Sequence, residues 1–166
     1  MSTRTYIKSL LLVSLTTLAI GGFFLHLRIH PFTEHAYGAV PFISGLLSIL
    51  LVPCLFSFRK TLDYGYVLNG LLVILGTVTM VHFAINHWPQ PPVSFEAVLL
   101  QTTLADILIL WAKFFVGKAL FDLELHGYDP NHTKAGSSWR YPNLGWWMIH
   151  VAVISAVYGL GNLLWR

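Results

Sequence analysis

Residues 64–85 read YGYVLNGLLVILGTVTMVHFAI, with no charged residue in the run. An apolar stretch of about 20 residues is what a helix needs to cross roughly 30 Å of hydrocarbon. In that solvent every backbone N–H and C=O must be paired within the chain, so the run reads as a transmembrane α-helix. A membrane barrel would show alternating strands, and here the apolar residues are continuous.

Working outward, four more stretches read the same way. The first covers about 7–27 and ends at His30-Pro31, because the residue before a proline avoids the helical region. The second covers about 41–58, opens near Pro41 where proline suits a first turn, and is short and interrupted by Pro53. Pro89, Pro91 and Pro92 close the central run, and further spans follow at about 95–116 and 144–165. The expected fold is an all-α integral membrane protein, a bundle of about five transmembrane helices in one domain over residues 1–166. Composition agrees. The chain is 55% hydrophobic and 10% charged, against about 25% charged in soluble domains, and its mean hydropathy is +0.65.

Orientation follows from Lys and Arg, which collect on the inner side of membranes. With the N-terminus inside and the C-terminus outside, inner segments hold Arg4, Lys8, Arg59, Lys60, Lys113, Lys118, Lys134 and Arg140, and outer segments hold Arg28 and Arg166. That bias, with no organellar presequence, fits a bacterial inner membrane. Trp88, Trp146, Trp147 and Trp165 fall near span ends, as an aromatic belt requires. Arg4 and Lys8 before an apolar run also resemble a signal peptide with a cleavage site at Ala19-Ile20-Gly21, but the run continues through Phe23, Phe24 and Leu25, past the length of such a segment. Residues 122–143 form the main polar stretch, and Gly127, Pro130, Asn131, Gly136 and Ser137 mark it as an inner loop.

Several function classes are excluded. A single cysteine, Cys54, allows no intrachain disulfide, no haem-attachment motif and no cysteine-based zinc or iron–sulfur set. The net charge of +3 is spread along the chain without a basic stripe, so nucleic acid is not an expected partner. Gly159-Leu160-Gly161 lies inside a span and follows no strand, so it is not a dinucleotide fingerprint. No nucleophile–base set or phosphate-binding loop points to a stand-alone enzyme.

Polar side chains inside a bilayer are costly and mark candidate sites. Here they are Asn69, His82, Asp106, Lys113, His150 and Asn162. Two groupings emerge. His26 and His30 share a helix face at the outer end of the first span, His82 and His87 end the third, and His35 lies in the loop nearby. His26 and His82 fall at similar depth, so the pair suits the axial positions of a haem b, and the wider set suits a directly bound metal ion. The plain alternative is that these are interfacial histidines reaching headgroups. The His-xxx-His at 26 and 30 lacks the glutamate of a zinc protease.

The second grouping is on the fourth span, where Asp106 lies near the bilayer centre and Lys113 follows on the same face about 10 Å further inward. They read as successive points on a proton or ion path. The alternatives are an interhelical hydrogen bond from Asp106 to Asn69, Thr77 or Ser155, and a Lys113 that snorkels to the inner interface. Small residues (Gly65, Gly70 and Gly76 on the third span; Ala152, Ser155, Ala156 and Gly159 on the fifth) permit close helix packing, within the chain or with a partner subunit or second copy.

The functional expectations are three. One is a haem b- or quinone-binding electron-transfer anchor of a respiratory-type oxidoreductase complex. Another is a metal-ion or small-solute transporter using the outer histidines and Asp106. The third is a membrane assembly subunit without chemistry.

Overall fold

The computed structural model describes residues 2–29, 39–86, 92–101, 103–128 and 144–164, and these are all-helical, with no strand among them. Helix α1, Thr3–Ile29, starts where the Ser2 hydroxyl accepts the Thr5 N–H at 3.2 Å, an N-cap that satisfies an otherwise orphan donor. The chain from Ala39 to Ser57 is helical but not uniform: α2 (Ala39–Leu46) passes through a π-helical segment (Leu47–Leu51) into α3 (Val52–Ser57). Pro53 gives the physical reason. It has no N–H to donate, and the register slips so that the Val52 N–H bonds five residues back, to the Leu47 carbonyl. Phe58 is extended, a 3-10 turn at Arg59–Thr61 reverses the chain, and α4 (Leu62–Asn86) returns beside α3.

The fourth apolar stretch is divided. Helix α5 (Phe95–Gln101) ends, and α6 (Leu104–His126) begins after Thr103, whose hydroxyl is spent on the Met80 carbonyl at 2.6 Å. The sequence reading placed Asp122 onward in a loop; α6 instead runs on to His126. Lys118 pairs with Asp122 one turn later along the helix, and Glu124 turns into the bundle, where Arg4 and Lys8 of α1 meet it. Gly127, at φ 93°, ends it where a side chain would be strained. Helix α7 is Leu144–Leu164.

Helix α6 is the centre of the bundle, packed between α1 and α4, with α7 against α4. Tyr66 of α4 stacks on Phe121 of α6 at 4.3 Å between ring centroids, among Phe114, Phe56 and Trp147. Gly70 lies directly under the Trp147 indole, which a Cβ would meet, so the small residue sets how closely α7 approaches α4.

The surface is unusually apolar for a folded chain, and several charged or polar groups lie inside a mainly apolar core. Leu50, Val157 and Phe24 are 67%, 66% and 65% exposed, while Asp106, Lys113, Asn69 and Glu124 are buried. Three helical stretches, Thr3–Arg28, Ala39–Ser57 and Arg59–Phe83, are long and apolar enough to cross a membrane, and Gly145–Val157 is a shorter apolar one. Helix α6 carries Asp106, Lys113, Lys118, Asp122 and Glu124, which it turns largely toward its neighbours. The molecule is a helical bundle suited to a membrane.

Candidate functional site

Helix α6 brings two buried charged groups to one face two turns apart, and the interrupted fourth stretch leaves the first of them, Asp106, in the opening turn of α6. Across from it the last turn of α1 supplies His26, also buried. His26 Nδ1 stands 4.0 Å from Asp106 Oδ2, too long for a hydrogen bond and short enough for a bridging water or ligand atom. Neither Asp106 oxygen has a hydrogen-bond partner among the described residues. The expected bonds to Asn69, Thr77 or Ser155 are not formed. Asn69 sits beside Gly117, eleven residues (about 16 Å) along α6 from Asp106.

Lys113 does not reach for an interface. Its ammonium turns inward and donates to the Ser48 hydroxyl at 2.7 Å, and the residue is 1% exposed. Ser48 belongs to the π-helical segment, so the register slip beside Pro53 is what presents its oxygen at this point. Such segments recur at functional positions.

Between these groups lies a cavity with about 70 Å³ of space for the centres of water-sized molecules. One water needs about 10–15 Å³ by that measure, so several waters or one small ring fit. Asp106, His26, Lys113 and Ser48 supply its polar groups, with Ser44 and Thr79, and Leu18, Phe23, Leu72, Ile109 and Leu110 supply apolar wall. Gly45 of α2 makes room for the Phe23 ring of α1, and Gly22 of α1 faces Ile109 of α6.

The histidines separate. His26 lines the cavity, whereas His82 is exposed and does not line it. Both rings flank Phe83, at 6.2 and 6.3 Å. His30, His35 and His87 lie outside the described residues, and among those described no three His, Cys, Asp or Glu side chains gather as a metal site. His150 stacks on Trp146 and bonds its carbonyl through Nδ1 at 2.7 Å, so it serves its own helix.

A second polar centre escaped the sequence reading. At the far end of α6, Glu124 is contacted by Arg4 at 2.8 Å, Lys8 at 3.5 Å and the Tyr128 hydroxyl at 2.7 Å. Lys8 also donates to the Ser57 carbonyl at 3.2 Å, so the cluster joins α1, α3 and α6. Burial alone would raise the Glu124 pKa. Hydrogen bonds from Tyr128 and Arg4 and the charges of Lys8 and Arg4 outweigh it and hold the carboxyl below its ordinary value. The signal was present: Lys113, Gly117, Leu120 and Glu124 continue one helical stripe past the point where composition turned polar.

Comparison with known proteins finds no matching family model, no matching curated protein and no matching solved structure.

Proposed function

We propose that the chain is a multi-pass membrane subunit, of about five spans with the N-terminus inside, that holds a quinone-type headgroup beside Asp106 and exchanges protons with it. One observation carries the reading: a buried carboxyl without a hydrogen-bond partner among the described residues and a buried histidine face the same mainly apolar, ring-sized cavity, with an ammonium at its other end. Quinone chemistry couples proton uptake to electron uptake, so acid–base groups beside an apolar slot suit it. Asp106 and His26 would hand over or accept the proton at one end, and Lys113 would donate a hydrogen bond to an oxygen at the other. The residues fit a haem b less well, because His82 is exposed and does not share the His26 cavity. The electron partner would be another chain, and the exposed small residues Ala152 and Ala156 of α7 suit lipid or a neighbouring helix.

Support for the orientation is the gathering of Arg4, Lys8 and Arg59 at the Glu124 end of the bundle. A bacterial inner membrane accords with that bias. The test is quinone extraction from the detergent-purified chain, with a reduced-minus-oxidised visible spectrum of the same sample. Near-stoichiometric quinone and no haem band are expected. A haem band lost in His26→Ala and His82→Ala would replace this reading with the haem one.

A second reading, transport of a cation or small solute, is favoured by the interruption between α5 and α6, since broken helices form midplane sites in transporters. Uptake in liposomes that is unchanged by Asp106→Asn would remove it.

A further inference from the structure

Between the cavity and the Glu124 cluster, the seam of α4 and α6 should be the driest part of the molecule, and it is not apolar. Asn69 of α4 is 0% exposed, and neither its amide nitrogen nor its oxygen has a hydrogen-bond partner among the described residues. An amide offers two donors and an accepting oxygen, and buried groups of this kind are ordinarily satisfied by protein or by ordered water. Two turns away on the same face, the buried Thr77 hydroxyl is likewise without a partner.

The opposite wall has been cut back to admit the amide. A Cβ at Gly117 of α6 would lie 2.5 Å from Asn69 Nδ2. Lys113 is one turn from Gly117 toward the cavity, and Tyr66 is one turn from Asn69 in the other direction. Tyr66 stacks on Phe121, and Glu124 follows three residues later. Polar groups therefore recur at intervals of one or two turns from the cavity to the charged end, along facing sides of two packed helices.

We infer that the Asn69 amide holds an internal water that passes protons between Lys113 and the Glu124 end of the bundle. It rests on the reading of the cavity as a proton-exchanging site and gives that site its supply route. In each passage the Lys113 ammonium releases a proton to the site water, and one of that water's own protons moves on past Tyr66. Lys113 regains a proton from the cavity side, and no electron moves. The reverse sequence delivers protons to the cavity.

Hydroxyl-radical labelling tests this, because X-ray radiolysis of a bound water marks the side chains touching it even where bulk solvent does not reach. In the full-length protein, Tyr66 should be labelled despite its burial, and labelling should fall several-fold in Asn69→Leu and in Gly117→Ala. Deuteration of the Asp106 carboxyl, followed by infrared spectroscopy after transfer to D2O, should slow several-fold in the same variants. Neither residue lines the cavity, so bound quinone should be retained. An unlabelled Tyr66 in the wild type would overturn the water site, whatever the quinone content. Unchanged deuteration in both folded variants would overturn the proton route. A labelled Tyr66 in a protein free of quinone would leave the water site standing and remove the redox reading instead.

Discussion

Helix α6 carries two buried carboxyls, and their surroundings differ as much as their chemistry allows. Glu124 accepts from Arg4 and Tyr128 and lies 3.5 Å from Lys8. Asp106 accepts from nothing described and faces a cavity with His26 4.0 Å away. A carboxylate whose lone pairs are filled holds helices together. One whose oxygens are bare in an apolar slot costs stability, and that cost is tolerated where the group has work to do. The proposed function rests on this difference, with anchoring at one end of the bundle and proton exchange at the other.

The sharpest way to break that contrast is to neutralise each carboxyl in turn. Asp106→Asn should slow quinone-coupled proton turnover by about 10²-fold or more, the contribution usual for a positioned acid–base group. Its thermal stability in detergent should be equal or higher, because the acid removed is buried and has no hydrogen-bond partner among the described residues. Glu124→Ala should do the opposite: stability falls by about 2 kcal/mol from the lost charge-assisted hydrogen bonds, read by denaturation in detergent, and quinone content is unchanged. Gly70→Ala should cost about 1–3 kcal/mol through overpacking against Trp147, an effect of packing alone that likewise leaves the cavity intact.

A finer test uses pH. The Glu124 carboxyl has a lowered pKa in the folded chain, so its contribution is complete above the ordinary value of 4.5 and is lost as pH falls through the lower folded value. The stability gap between wild type and Glu124→Gln should therefore hold at neutral pH and close under strong acid. A gap that widened on acidification would reverse the assignment. The smallest effect is expected at His82, which is exposed: His82→Ala should change neither stability nor quinone content measurably, whereas His26→Ala should reduce quinone retention.

Much of the architecture was legible because hydrocarbon imposes it. Runs such as 64–85 have no alternative to helix, and the same-face spacing of Asp106 and Lys113 followed from 3.6 residues per turn. Three things were not legible. Helices apolar on nearly every side carry no stripe to fix their rotation, so His26 and His82 looked equivalent at equal depth although one faces in and the other out. Pro53 announced a disturbance but not that the register would slip into a π-helical segment and deliver Ser48 to Lys113. Glu124 sat in a polar stretch read as loop, and only its Arg4 and Lys8 partners, more than a hundred residues earlier, explain why the helix continues there.

The central claim is that Asp106, and not Glu124, exchanges protons when the cavity's occupant changes redox state. Redox-induced infrared difference spectroscopy of the reconstituted protein with a short-chain quinone addresses it directly. The account predicts a carboxyl band that appears on reduction, vanishes in Asp106→Asn and persists in Glu124→Gln. A band that survives Asp106→Asn, or one that follows Glu124, would contradict it.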